Sequence, residues 1–518
     1  MADNKDHQIG RMQYKLIQSK VLNKNDVFLP LYQEVVKMSE AEYDALKPLV
    51  LEQDIPTIQN AIADGRLTYE KLVLFYLYRI YKYELDNATT LNTIIALNGS
   101  VVEEARKLDA LKTGTTEKRH PIFGMPILLK DNINTTGMNT TAGAIALQYN
   151  KVDDAFIVDR LKEKGALILG KANLSEWAYF LCDGCPVGYS AVGGQTLNPY
   201  GRKIFETGGS SSGSGTSVAA NYAVAAVGTE TSGSILSPSS QNSVVGLKPT
   251  IGLLSRSGIV PISSTLDTPG PMTKNVVDNA ILLSAMTGKD ENDEASVSND
   301  LVFYDDLKAE ISLKGKRFGA IKSLMEEDSI YEKTIQKIID AGAEVIEFIP
   351  PEVTMTGFLS ILNIDMKNDL PKYLAAHVKN GDRVTIKSIA DAVPFNAADS
   401  LIRIPYGQAL FEGILADSTS AEGLAEIKNK LEKSGRTFFD TAIDAHRLDA
   451  VLSINNYHAG YAAVAKYPAL TVPMGYKPSG EPISLTFIGK QFKEMDLLRL
   501  GAAFERLTKI RELPKGFD

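Results

Sequence analysis

An α/β fold is predicted by three features of the chain. Short apolar runs separated by Gly and Asn begin at Pro121, helix-like periodicity alternates with them, and no fixed repeat or long low-complexity linker interrupts the pattern. The run AFIVDRLKEKGALILGKAN, from Ala155, reads as an amphipathic helix followed by a buried strand. The same unit recurs between Lys316 and Pro350, where KRFGAIKS, SIYEKTIQKIIDAG and AEVIEFIP spell strand, helix and strand. A further strand, LDAVLSIN, ends at Asn455.

Upstream of these units the texture is helical. In IQNAIADGRLTYEKLVLFYLYRIYKYE the apolar spacing suits two amphipathic helices, with Gly65 at their joint and Thr68 as the N-cap of the second. We therefore expect a helical N-terminal extension over residues 1–54 and one compact domain over 55–518. The stretch 351–434 is again helix-like and holds Pro371, Pro394 and Pro405, which suggests an insertion covering one side of the domain.

Composition excludes several classes. Of 518 residues 44% are hydrophobic and 23% charged, ordinary values for a chain with a large core. The net charge is −8 and no block of Lys and Arg is dense enough to track a phosphate backbone, so nucleic acid is not an expected partner. Apolar runs such as Leu72 to Tyr78 and Tyr222 to Gly228 fall short of the roughly 20 residues that span a bilayer, so no transmembrane segment is expected. MADNKDHQIGRMQYK has no apolar signal region, which points to the cytoplasm, or to export if a signal peptide had been removed beforehand. Two cysteines, Cys182 and Cys185, stand as Cys-Asp-Gly-Cys, a spacing open to a redox pair, half a zinc site or two unrelated thiols. No second Cys pair or His-x-x-x-His completes a metal set. Plain thiols are expected, or a tight disulfide in an exported protein.

The most unusual stretch is GGSSSGSGTSVAANYAVAAVGTETSGSILSPSS, residues 208–240. Its first ten residues have the composition of a flexible linker, but an apolar run follows at once and a second Gly/Ser turn closes it. A phosphate cradle is a second reading, against which stand the missing Gly-Lys-Ser/Thr ending and the broken Gly-x-Gly-x-x-Gly spacing. A third is a nucleophile elbow, since Gly209-Ser210-Ser211-Ser212-Gly213 matches Gly-x-Ser-x-Gly and His377, His446 and His458 lie downstream.

The whole combination resembles the amidase signature family: a Gly-Gly-Ser-Ser turn, a short helix, a second turn ending in Gly-Ser, and an upstream Lys. Ser210 and Ser234 are 24 positions apart, and IFGMPILLKDNINTTGMNTTAG supplies Lys130. KANLSEWAYF, AVGGQTLNPYG, GLKPTIGLLSRSGIVPISSTLDTPGPMTK and YPALTVPMGY extend the likeness over roughly Ile55 to Leu513. It implies a large mixed central sheet covered by helices on both faces, an amide-hydrolysing serine enzyme, and no metal or organic cofactor.

The resemblance also implies roles. Ser234 would be the nucleophile, Ser210, in a cis peptide, the relay, and Lys130 the base. A serine hydroxyl needs its proton taken, and a lysine can take it only when burial destabilises its ammonium. Lys130 ends the apolar run MPILL, as burial requires, although a plain ion pair with Asp131 is the competing reading. The backbone N–H groups of Thr231, Ser232 and Gly233 would face the oxyanion, and Ser211 would orient the turn or the leaving group. Family members handling a charged carboxylate carry an Arg two or three positions after the nucleophile. Here Leu236 and Ser237 stand there, favouring a neutral or apolar amide, either small molecule or peptide, over a glutamine-dependent amidotransferase A-type subunit. A catalytically silent binding protein would have lost one of the three residues, and all three are present. A homodimer is compatible with the sequence.

Overall fold

The computed structural model describes residues 4–111, 119–298 and 311–518, together with Tyr304 and Leu307. Its strands are β1 (Ile94–Leu97), β2 (Pro126–Lys130), β3 (Leu167–Ala172), the ribbon β4 (Tyr189–Ser190) and β5 (Gly194–Gln195), and β6 (Ala225–Glu230). They continue with β7 (Val245–Lys248), β8 (Thr268–Thr273), β9 (Arg317–Ile321), β10 (Glu344–Phe348), β11 (Ala450–Ile454), β12 (Ala469–Tyr476) and β13 (Pro482–Ile488). All but the ribbon join one sheet of 11 strands, in the order β1-β3-β2-β6-β8-β7-β12-β13-β11-β9-β10. The sheet is mixed: β2 runs parallel to β3 and β6, β11 and β10 run parallel to β9, and the remaining pairs are antiparallel.

The central strands are buried on both faces, which explains their unbroken apolar text. Every residue of β2, β3 and β6 is buried, Lys130, Lys171 and Glu230 included. Burying three ionisable groups in adjacent strands is costly unless each finds partners or changes its protonation.

The expected helices form. Ile55–Ala63 and Tyr69–Glu84 flank Gly65, and the Thr68 hydroxyl accepts the Lys71 N–H as the N-cap. Helices Lys24–Val35 and Glu40–Val50 bury Phe28, Leu31, Tyr43 and Val50 in the cluster that also holds the sheet residues Leu128, Val227 and Leu470. Buried Arg79 ties these layers together, donating to the Ala220 and Phe517 carbonyls at 2.9 and 2.5 Å and to the Tyr43 hydroxyl.

Between residues 357 and 447 the chain is largely helical, with long helices Phe358–His377 and Ala421–His446. Leu370 and Leu431 on these helices, with Phe411 of helix Ala409–Ala416, join Trp177, Val260 and Leu266 in a second apolar cluster. Cys182 and Cys185 are joined in a disulfide. Among the described residues no helix is long and apolar enough to cross a membrane.

Candidate active site

Three chain segments converge at the end of β6. The parallel pairing of β2 with β6 sets Leu129 beside Val227, so that Lys130 finishes its strand next to Thr229. The Lys130 ammonium donates to the Ser210 hydroxyl at 2.7 Å, to Thr229 Oγ1 at 2.8 Å and to the Thr229 carbonyl at 3.1 Å. Among the described residues no carboxylate pairs with it. Asp131 turns to the opposite side of the strand, because successive side chains alternate, and there forms a buried ion pair with Lys171 at 3.2 Å. Burial pulls Lys130 from 10.5 down to about 7, against the opposing pull of the Asp267 and Glu230 carboxylates.

The Gly/Ser tract is an ordered turn and helix. The Gly209–Ser210 peptide is cis, and helix Ser212–Ala219 starts directly after Ser211. Gly213 has to be glycine on space alone: a Cβ there would stand 2.4 Å from the Asn173 carbonyl oxygen. Ser211 binds the segments together. Its hydroxyl donates to the Thr229 carbonyl at 3.0 Å and accepts the Thr229 N–H at 3.2 Å, while its own N–H donates to the Ser234 carbonyl at 3.1 Å. Ser212 and Ser214 bond the Gly208 and Val227 carbonyls at 2.7 and 3.2 Å.

Ser234 thus rests against the Ser210–Ser211 turn through its main chain. Its hydroxyl makes no hydrogen bond among the described residues, and at 9% exposure it reaches solvent where Lys130 and Ser210, both at 0%, do not. Of the three amides expected to face an oxyanion, that of Gly233 is donated to Glu230 Oε1 at 2.6 Å, whereas those of Thr231 and Ser232 reach no protein acceptor among the described residues. Gly233 adopts φ +83°, which favours glycine.

The sequence reading missed four residues of this region: Thr229, Glu230, Asp267 and Asn132. Glu230 accepts the N–H groups of Gly233, Ile235 and Leu236 at 2.6, 2.7 and 3.0 Å. Asp267, pushed up to about 6 by burial, accepts the Thr231 hydroxyl at 2.6 Å and the N–H groups of Ile262 and Ser263 at 2.8 and 2.9 Å. Asn132 donates to Thr229 Oγ1 at 3.0 Å. An acidic residue at the end of an apolar strand, as in AVAAVGTE, is the one signal that could have found Glu230.

A cavity of about 360 Å³ opens beside this turn, lined by Asn132, Thr229, Thr231, Arg256, Asp267 and Tyr373. Helix Phe358–His377 forms one wall, where Asp365 accepts the Ser263 hydroxyl at 2.6 Å and the Tyr373 hydroxyl donates to Asn134 at 2.7 Å. The helical stretch therefore covers one side of the site. Among the described residues no histidine bonds a serine of the Gly/Ser tract: His446 is exposed, His377 and His458 are half-buried, and His458 bonds Ser453 at 2.6 Å. The elbow reading has no base to support it. Among the described residues no group of three or more His, Cys, Asp or Glu is placed to hold a metal ion.

Comparison with known proteins gives a consistent picture. The family model described as Amidase matches residues 71–406. A probable amidase of Arabidopsis thaliana is 37% identical over 481 residues, covering 90% of this chain and 92% of the relative. The A-type subunit of the glutamyl-tRNA(Gln) amidotransferase from Caldanaerobacter subterraneus is 32% identical over 488 residues, covering 88% and 97%. Among solved structures, an amidase family protein from Bacillus anthracis superposes with a TM-score of 0.90 at 37% identity, covering 96% of this chain and 99% of that one. The peptide amidase from Stenotrophomonas maltophilia does so with a TM-score of 0.83 at 36% identity, covering 90% and 99%.

Proposed function

The chain belongs to the amidase family, and from that premise we propose that it hydrolyses the C–N bond of a carboxylic amide through an acyl-enzyme on Ser234. Ser210 relays protons and Lys130 is the base. The observation that carries the reading is the environment of Lys130: fully buried, with no carboxylate partner among the described residues, and 2.7 Å from the Ser210 hydroxyl. As a neutral amine it keeps two N–H bonds to Thr229 and turns its lone pair to Ser210, whose O–H then becomes the donor.

Ser234 Oγ attacks the carbonyl carbon, and its proton passes to Ser210 Oγ while the Ser210 proton passes to Lys130 Nζ. The oxyanion falls to the open amides of Thr231 and Ser232, each worth ~10²–10³ in rate for such a donor. Gly233 is reassigned from that role to the support of the turn, because its N–H is already given to Glu230. Collapse of the tetrahedral intermediate breaks the C–N bond, and the proton on Lys130 returns through Ser210 to the leaving amine. Water then cleaves the ester by the same relay. The base must be neutral, so activity rises with pH through about 7.

A neutral amide is the favoured substrate. Leu236, where an Arg would serve a charged carboxylate, is fully buried, and the likeness to a peptide amidase supports a peptide C-terminal amide. Release of ammonia or amine is to be measured from a glycinamide peptide, oleamide, an acetanilide and free glutamine. Hydrolysis of one of the first three, abolished in Ser234→Ala with an unchanged circular dichroism spectrum, is the expected result. Turnover of glutamine alone would favour the amidotransferase reading, and full activity in Ser234→Ala would remove the nucleophile.

A further inference from the structure

We infer that Glu230 is a positioning residue, whose carboxylate shapes the turn that presents Ser234. The inference rests on the reading of Ser234 as nucleophile. Residues 233–236 turn sharply out of β6 with Gly233 at φ +83°, and their N–H groups cannot join the sheet. Three of them converge on one side chain: Gly233 on Oε1, Ile235 and Leu236 on Oε2, at 2.6, 2.7 and 3.0 Å. The donors flank Ser234 on both sides in sequence. The nucleophile therefore sits on a loop whose two ends are held by the two oxygens of one carboxylate.

The carboxylate is itself fixed. It is 1% exposed and ends β6, which pairs with β8 through Glu230 and Thr268. Burial raises its pKa, opposed by the buried ammonium of Lys248 and the three amides. The three N–H donors and the Lys248 ammonium act on the ionised form, which they stabilise against the effect of burial. Lys248 donates to the Pro249 carbonyl at 3.1 Å and is also attracted by Glu494. Among the described residues Glu230 makes no hydrogen bond to the nucleophile's hydroxyl and does not line the cavity, so it acts through the turn and not on the substrate.

The residue has a second effect, which separates positioning from mere folding. With Asp267, it is one of the two carboxylates that hold up the pKa of Lys130. Glu230→Gln keeps the shape but replaces one acceptor oxygen with an NH₂ group, so one end of the loop loses its anchor, and the charge disappears. Glu230→Asp keeps the charge but is one methylene too short to reach both ends. Both variants are expected to slow acylation about 10²-fold, the cost of roughly 1 Å of misplacement, with KM little changed. Only Glu230→Gln should move the acidic limb of the kcat/KM profile to lower pH.

The test follows modification by a fluorophosphonate, with the adduct mapped by peptide mass spectrometry, beside amide turnover. A Glu230→Gln/Lys248→Met double variant restores charge balance and guards against failure to fold, which melting curves report. Slow acylation persisting in the folded double variant supports the inference. Wild-type rates in Glu230→Gln, or recovery of the wild-type rate in the double variant, overturn it while leaving Ser234 in place. An adduct on another serine in the wild type overturns the reading of Ser234 and this inference with it.

Discussion

Replacing Lys130 by Met removes the proposed base while keeping an unbranched side chain, and the site sets the size of the stability change. The fall from 10.5 to about 7 corresponds to about 5 kcal/mol by which the folded protein disfavours the charged lysine. The folded value lies below the unfolded one, so this cost is full below about pH 7. It shrinks as pH rises and vanishes above 10.5. Met forfeits the three hydrogen bonds to Ser210 and Thr229, at about 1 kcal/mol each. Lys130→Met should therefore be more stable than the wild type by about 2 kcal/mol at pH 6. Between pH 6 and 9 the wild type recovers about 3 kcal/mol, enough to reverse the order. Urea unfolding of both proteins at pH 6, 7.5 and 9 measures this. It can be followed by fluorescence of Trp177, the single tryptophan, which is buried against Phe411. A stability difference that does not change with pH, or a wild type that weakens against the variant as pH rises, refutes the picture of a buried, readily neutralised lysine.

Further outcomes follow from neighbouring groups. Asp267 is the larger of the two carboxylate influences that keep Lys130 from falling further. Asp267→Asn should thus shift the acidic limb of kcat/KM downward, by about one pH unit for a nearby opposite charge. An unmoved limb would show that Asp267 is neutral in the working enzyme. The Cys182–Cys185 disulfide closes a loop with a sequence separation of 3, for which loop closure gives about 2 kcal/mol. A Cys182→Ser/Cys185→Ser variant should melt lower, and dithiothreitol should bring the wild type to the same midpoint. A variant that melts with the oxidised wild type contradicts this.

Much of the fold was legible because its signals are local. The helices at 55–63 and 69–84 follow from apolar periodicity and the Thr68 cap, and the buried strands from uninterrupted apolar runs. The insertion of β8 between β6 and β7 was not legible, since it depends on long-range pairing that no short window encodes. At the site, Lys130 could be read from the strand it ends, and its separation from Asp131 follows from strand alternation, although the partner Lys171 lies on another strand. Glu230 escaped notice because its work lies in three backbone amides, and amides carry no sequence signature. The same contact removed Gly233 from the set of open donors.

The central claim is that a neutral Lys130 activates Ser234 through Ser210. Fluorophosphonate modification isolates that step, because no amine leaving group needs protonation. Its rate should be measured from pH 5 to 9 with the adduct mapped. The account predicts modification of Ser234 alone, at a rate that rises through about pH 7 and collapses in Lys130→Met. Modification of Ser211, or a Lys130→Met variant reacting as fast as the wild type at every pH, would contradict it.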